Sequence, residues 1–169
     1  MTQDPETLEK QTSGETPARL SRRGFGLMAG ATIVGGAVFA SQWYNIGAQA
    51  GVEGTLSTPD AHKAAVSGDI VLVDIRRPDE WERTGVGEGA VTIDMRRDDF
   101  TDVLLQHTAG RTDAPVALIC ARGVRSRRMT ERLTAAGFTT IIDVPEGMLG
   151  SGAGPGWLKR GLPTVTWAE

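Results

Sequence analysis

An apolar run that ends at the only cysteine of the chain does most to constrain the fold. Residues Val116 to Ile119 are continuously apolar, as in a strand buried on both faces of a sheet, and Cys120 follows them directly. Beyond a short basic loop, residues 126–136 have helical spacing. A loop between a strand and a helix faces the helix N-terminus, where backbone N–H groups and the helix dipole attract anions. The stretch therefore predicts a site for a thiolate or a bound anion.

The loop after Cys120 carries two arginines, Arg122 and Arg125, and successive N–H groups of such a turn can form an anion-binding concavity. These surroundings favour the thiolate, which is the nucleophilic form of cysteine. A cysteine at the end of a buried strand is often only a small apolar core residue. The polar, doubly basic loop favours a reactive Cys120 instead.

The remaining composition excludes several kinds of site. A single cysteine permits no intramolecular disulfide, no four-thiolate metal site and no CxxC redox centre. His62 and His107 lie far apart without the carboxylate spacing of a metal site, and each is expected on a solvent-facing helix surface. The net charge is −3 and the sequence shows no strongly basic face, so a nucleic-acid partner is not expected.

The first 50 residues are expected to be an export signal. Residues 1–20 are polar and are expected to be disordered. Residues 21–50 begin with Ser-Arg-Arg-Gly-Phe and contain no charge between Arg23 and the end of the segment. This pattern resembles a twin-arginine signal and departs from it at Gly26 and Leu27.

The fate of this signal has two alternatives. A small-x-small site ending at Ala50 favours cleavage, whereas Trp43 and Tyr44 would suit the interface of a retained anchor. In both cases the positive charge precedes the apolar run, so the following domain faces away from the cytoplasm. We expect the export machinery as a partner, and a periplasmic domain or one anchored to the outer side of the inner membrane.

In residues 52–169 the pattern indicates one domain in which strands alternate with helices. This alternation predicts a parallel sheet with helices on both sides. In such sheets functional residues collect at the carboxyl ends of strands, where Cys120, Asp74 and Asp143 are expected. The predicted strands are 70–73, 90–93, 116–119 and 140–143, and the predicted helices begin near Ser57, Pro78, Asp98 or Asp99, and Ser126.

Residues 55–167 resemble a single rhodanese-type sulfurtransferase domain. The sequence departs from the family pattern where Gly85-Val86-Gly87-Glu88 stands for Gly-His-Ile-Pro, and where Gly147-Met148 stands for Gly-Gly. The matching motifs, in chain order, are Leu72-Val73-Asp74-Ile75-Arg76, Glu80-Trp81, Gly89-Ala90-Val91-Thr92-Ile93, the Cys-x-x-Gly-x-Arg-Ser loop from Cys120 to Ser126, Gly137-Phe138, Glu146-Gly147-Met148, Trp157 and Gly161-Leu162-Pro163.

The resemblance implies an α/β fold with a five-stranded parallel sheet and helices on both faces. It also implies that Cys120 is catalytic and cycles through a covalent persulfide, with no other cofactor and no metal. Asp74 and Arg76 are expected to support the loop as a structural pair. The residues expected to bind the substrate are Ala121, Arg122, Gly123, Val124, Arg125 and Ser126.

The expected reaction is a double displacement. A small anionic donor such as thiosulfate gives its outer sulfur to Cys120 while Arg122, in the mouth of the loop, stabilises the leaving anion. Loop N–H groups then hold the persulfide until cyanide or a thiol removes the sulfur. A thioredoxin-like protein is a candidate thiol acceptor.

Three alternatives remain open at this point. A phosphatase or arsenate reductase of related fold would place five residues between cysteine and arginine, but here only four separate Cys120 from Arg125 and the next position is Ser126. A non-enzymatic module would only carry sulfur or bind a partner. A retained membrane tether would present the domain to an envelope complex and is compatible with catalysis.

Overall fold

The computed structural model describes residues 54–168. The expected disordered segment 1–20 and the expected export signal 21–50 lie outside the described residues. Within residues 54–168, no helix is long and apolar enough to cross a membrane. The elements are α1 (Thr58–Ser67), β1 (Val71–Asp74), α2 (Pro78–Thr84), β2 (Val86–Gly87), β3 (Ala90–Thr92), α3 (Phe100–His107), β4 (Val116–Ile119), α4 (Val124–Ala135), β5 (Ile141–Asp143) and β6 (Thr164–Val165).

The helices begin close to where the sequence predicts them. The Ser57 hydroxyl caps α1 by accepting the Asp60 N–H at 3.3 Å. Helix α2 starts at Pro78, and α3 starts directly after Asp99, although the Asp99 side chain makes no capping hydrogen bond. Helix α4 begins at Val124, two residues earlier than predicted, because Gly123 takes a left-handed conformation with φ of 77° and turns the loop straight into the helix.

The central sheet has four parallel strands in the order β3-β1-β4-β5, and β2 and β6 form a separate antiparallel pair. The family resemblance implies five strands, one more than the four apolar runs predict, and the fifth is reduced to a parallel bridge between Thr55 and Asp143 at the β5 edge. There the Asp143 N–H donates to the Gly54 carbonyl and the Leu56 N–H donates to the Asp143 carbonyl. This segment stays short because the N-cap of α1 is already at Ser57.

Successive side chains of the strands point to opposite faces of the sheet and contribute to two apolar cores, one on each face. Helices α3 and α4 cover one face, where the buried side chains include Val73, Phe100, Leu104, Leu118, Cys120, Met129 and Leu133. Helix α1 and the C-terminal segment cover the other, where they include Ala61, Leu72, Ile119, Met148 and Trp157. The expected helices on both faces of a parallel sheet are confirmed.

Candidate active site

Cys120 directly follows the last residue of β4 and is only 1% exposed. Its thiol lies 3.6 Å from the Ser126 hydroxyl, as donor to acceptor. The buried Ser126 hydroxyl in turn donates to the Gly123 carbonyl at 3.1 Å. The loop therefore curls around the sulfur and returns to it in the first turn of α4.

A turn after β5 is hydrogen-bonded to the start of this loop. The N–H groups of Met148 and Leu149 donate to the carbonyls of Cys120 and Ala121 at 2.8 and 2.9 Å. Gly147 lies so close that a β-carbon there would stand 2.6 Å from the Ala121 carbonyl oxygen, and its φ of +67° also favours glycine. Met148, which departs from the family pattern, points into the core and is fully buried.

Arg125 is held by Glu80 of α2 in two parallel hydrogen bonds of 2.7 Å each. Burial alone would raise the pKa of the Glu80 carboxyl, but the hydrogen bonds and charge of Arg125 outweigh it and keep that pKa below its ordinary value. The hydrogen bond with Glu80 raises the pKa of Arg125, and the nearby Cys120 sulfur contributes in the same direction. In the structure Glu80 balances the charge of Arg125, and the expected binding of substrate by Arg125 stays a prediction.

Arg122 has a different position from Arg125 and borders an open groove. Its Nη1 donates to the Gly150 carbonyl at 3.3 Å, and Lys159 lies on the same groove, whose volume is about 430 Å³. None of the groove's lining residues, all within the described part of the chain, carries a carboxylate, whereas Arg122 and Lys159 carry positive charge. The lining residues are Arg122, Leu149, Gly150, Ser151, Gly154, Pro155 and Lys159.

Asp74 and Arg76 form a fully buried ion pair with nitrogen–oxygen distances of 2.7 to 2.9 Å. The Arg76 guanidinium also donates to the Thr84 hydroxyl and the Gly85 carbonyl, each at 2.8 Å. The pair therefore fixes the C-terminal end of α2 against the end of β1. The pair reaches the loop only through α2, which carries Glu80. The supporting role expected from the sequence stays a prediction.

Two carboxylates of the site were not selected as site residues from the sequence. The sequence marks Glu80 only as part of the Glu80-Trp81 motif, since nothing local reveals a partner 45 positions away. Asp143, at the end of β5, is 6% exposed, and burial raises its pKa to about 6 against the opposing effects of the Ser126 hydroxyl and the Arg127 charge. Its position at the carboxyl end of a strand was the one available signal.

No three His, Cys, Asp or Glu side chains within residues 54–168 are grouped so that they could hold a metal ion. Glu146 is a further buried carboxylate, and its contacts give it a structural role. It accepts hydrogen bonds from the N–H groups of Thr58 and Gly156 and from the Arg160 guanidinium. It therefore joins the start of α1 to the segment that borders the groove.

Residues 57–150 match the family model described as the rhodanese-like domain. The chain belongs to the rhodanese-like domain family. The match includes the whole cysteine loop, Glu80 and Asp143, so the elements described above are those of the family domain. The resemblance read from the motifs is confirmed, whereas the export signal lies outside the described residues.

Among solved structures, the chain is similar to the polysulfide-sulfur transferase homodimer from Wolinella succinogenes, with 25% identity and a TM-score of 0.51 over 85% of this chain and 90% of that one. It also shares its fold with the rhodanese-like domain of an Anabaena sp. protein, with 16% identity and a TM-score of 0.52 over 69% and 81% of the two chains.

The chain is also similar in sequence to bacterial proteins. The tRNA uridine(34) hydroxylase of Xanthomonas axonopodis pv. citri is 33% identical over 84 residues, which are 48% of this chain and 33% of the hydroxylase. An uncharacterized protein of Rickettsia conorii is 24% identical over 110 residues, covering 61% of this chain and 89% of that one. The rhodanese-like domain and its sulfurtransferase neighbour together support a sulfur-transfer function and an enzyme of sulfurtransferase type.

Proposed function

We propose that the protein is a sulfurtransferase that moves a sulfane sulfur from a small anionic donor to cyanide or a thiol through a Cys120 persulfide. The observation that carries the proposal is the position of Cys120 at the end of β4, inside a loop that closes on the first turn of α4. Two residues further on, Arg122 opens onto the cationic groove. A nucleophile and an anion-binding surface thus lie in one short stretch of chain.

In the first half-reaction, the Cys120 thiolate attacks the outer sulfur of thiosulfate. The new bond joins Sγ to that sulfur, the sulfur–sulfur bond of the donor breaks, and sulfite leaves with the bonding electron pair. Arg122 and Lys159 stabilise the negative charge of the donor and of the departing sulfite. The Ser126 hydroxyl lies 3.6 Å from the reacting sulfur and supports it.

In the second half-reaction, cyanide or a thiolate attacks the outer sulfur of the persulfide and Cys120 leaves as the thiolate. The loop N–H groups of residues 121–125 hold the persulfide anion in the meantime. Arg125 fixes the loop through Glu80. Polysulfide is a second candidate donor, in view of the likeness to the Wolinella polysulfide-sulfur transferase. A thioredoxin-like protein is a candidate acceptor.

The proposal includes the place of the reaction. Residues 21–50 act as a twin-arginine-type signal that the export machinery recognises, so the catalytic domain works in the periplasm or on the outer side of the inner membrane. The alternative to catalysis is a sulfur-carrier or protein-interaction module of the same fold.

Intact-mass spectrometry of the purified, reduced chain tests the proposal, because Cys120 is the only cysteine. Thiosulfate or polysulfide should add the mass of one sulfur, and cyanide should then remove it as thiocyanate. Cys120→Ser is the matched control and should show neither change. A wild-type chain that gains no sulfur from either donor would support the non-enzymatic module instead.

A further inference from the structure

The strand register places Asp143 and Cys120 on the same face of the central sheet. Asp143 of β5 pairs with Leu118 of β4, and paired residues of parallel strands point to the same face. Cys120 lies two positions after Leu118 and therefore shares that face, which α4 covers. Ser126, in the first turn of α4, accepts from the Cys120 thiol at 3.6 Å. Its hydroxyl also acts on the Asp143 carboxyl, whose pKa it lowers against the effect of burial.

The Asp143 carboxyl has an unusual environment. Its Oδ1 is buried and has no hydrogen-bond partner among the described residues, and the whole residue is 94% buried. An unpaired carboxylate oxygen in such a place lowers stability. A proton on that oxygen would neutralise the buried carboxylate. The charged groups that face the cluster are Arg127, next to Ser126 on α4, and the Arg125–Glu80 pair beside Cys120.

We propose that Asp143 is a positioning residue that accepts the proton of Cys120 through the Ser126 hydroxyl and stores it while Cys120 carries sulfur. The Sγ–H bond breaks and its electron pair stays on sulfur, the proton goes to the Ser126 oxygen, and the Ser126 hydrogen passes to the Asp143 carboxylate. For this step the Ser126 hydroxyl turns away from the Gly123 carbonyl, which it contacts in the structure.

Charge conservation is the physical advantage of this step. Before sulfur loading the buried cluster contains a thiol and a carboxylate, and after loading it contains a persulfide anion and a carboxylic acid. Both states carry one negative charge, so the step avoids placing two anions together in a low-dielectric interior. The proton returns to Cys120 when the acceptor removes the sulfur. The inference rests on the proposed persulfide cycle but concerns only how the thiolate forms.

Reaction with methyl methanethiosulfonate, a small neutral reagent that converts a thiolate to its methyl disulfide and releases methanesulfinate, tests the relay without depending on the proposed sulfur transfer. The single thiol makes intact mass a direct readout on the full chain. With a relay the wild-type rate should be nearly constant between about pH 6.5 and 8, because thiolate forms without loss of a proton to solvent. In Asp143→Asn the rate should rise about tenfold per pH unit and, at about pH 6.5, fall well below the wild-type rate.

Two further variants separate the relay from a structural or purely electrostatic role. Ser126→Ala keeps the carboxylate but removes the hydroxyl, and it should show the same steep profile as Asp143→Asn. Asp102→Asn, at an exposed position on α3, is the matched control and should keep the flat wild-type profile. If Asp143→Asn reacts as fast as the wild type or faster at about pH 6.5, Asp143 acts only through its charge and the relay is overturned.

The pH profile of the methylthiolation and the thiosulfate experiment can fail separately. A chain that gains no sulfur but shows the flat profile would refute the proposed function and retain the relay. A chain that gains sulfur but whose wild-type rate rises steeply with pH would support the proposed function and refute the relay.

Discussion

The Arg125 guanidinium and the Glu80 carboxylate face each other in two parallel hydrogen bonds of 2.7 Å, and this pair links the cysteine loop to α2. Arg125 is 30% exposed and Glu80 only 10%, so the carboxylate depends on the arginine more than the arginine depends on the carboxylate. Arg125→Gln should therefore reduce the free energy of unfolding by about 2 kcal/mol near neutral pH. Urea unfolding measures the effect.

The pH dependence of this loss has a defined sign. Because the folded-state pKa of Glu80 is lowered, the pair contributes stability above the carboxyl's ordinary pKa, and the contribution disappears as the pH falls through the lower value. The difference between Arg125→Gln and wild type should shrink in acid. Arg128→Gln, at an exposed position of the same helix, is the control and should change stability by less than about 0.5 kcal/mol. A loss for Arg125→Gln no larger than for this control would contradict the prediction.

The groove predicts how donors are selected. Arg122→Ala should raise KM for thiosulfate about tenfold with a smaller change in kcat, because it removes a charge that holds the donor. Lys159→Ala should have a smaller effect that fades with added salt, since Lys159 is exposed. Steady-state thiocyanate formation at two ionic strengths measures both variants, with Arg128→Ala as the control. An unchanged KM in Arg122→Ala would exclude this role.

The sequence predicted the parallel sheet, its cover of helices on both sides and the cysteine loop because these depend on local patterns: an apolar run, a following loop and a helical period. It did not predict the partner of Arg125, because Glu80 belongs to another helix 45 positions away and only the tertiary fold brings the two together. The fifth strand had no apolar run of its own, and it forms only one bridge before the cap of α1. The burial that shifts the pKa of Asp143 likewise arises only when α4 packs on the sheet.

Gly147 predicts a steric test of the loop. Its β-carbon position lies 2.6 Å from the Ala121 carbonyl oxygen and 2.7 Å from the Arg122 nitrogen, so Gly147→Ala should displace the peptide between them. The sulfur-transfer rate should fall by more than about tenfold because the loop loses its geometry. Gly110→Ala is the control, since a β-carbon there meets nothing within 4 Å and its φ of +77° imposes a similar backbone strain. Equal activity in the two variants would show that the Gly147 contact does not shape the loop.

Asp143 predicts a stability effect opposite in sign to that of Glu80. Its pKa of about 6 in the folded protein, against an ordinary 3.8, means that the unfolded chain releases this proton first as the pH rises. The carboxyl therefore lowers stability progressively between about pH 4 and pH 6, and the loss persists at higher pH. Asp143→Asn removes this effect, so its stability relative to wild type should increase by about 2 kcal/mol between about pH 4.5 and pH 8.

Urea unfolding of both proteins at the two pH values measures this change. The difference between them isolates Asp143, because the other carboxyls of the chain are the same in both. Asp102→Asn should give a pH-independent difference, since Asp102 lies exposed on α3. If the stability of Asp143→Asn relative to wild type does not depend on pH, the Asp143 carboxyl is not destabilised by its burial beneath α4, and a proton on it would offer the folded chain no advantage.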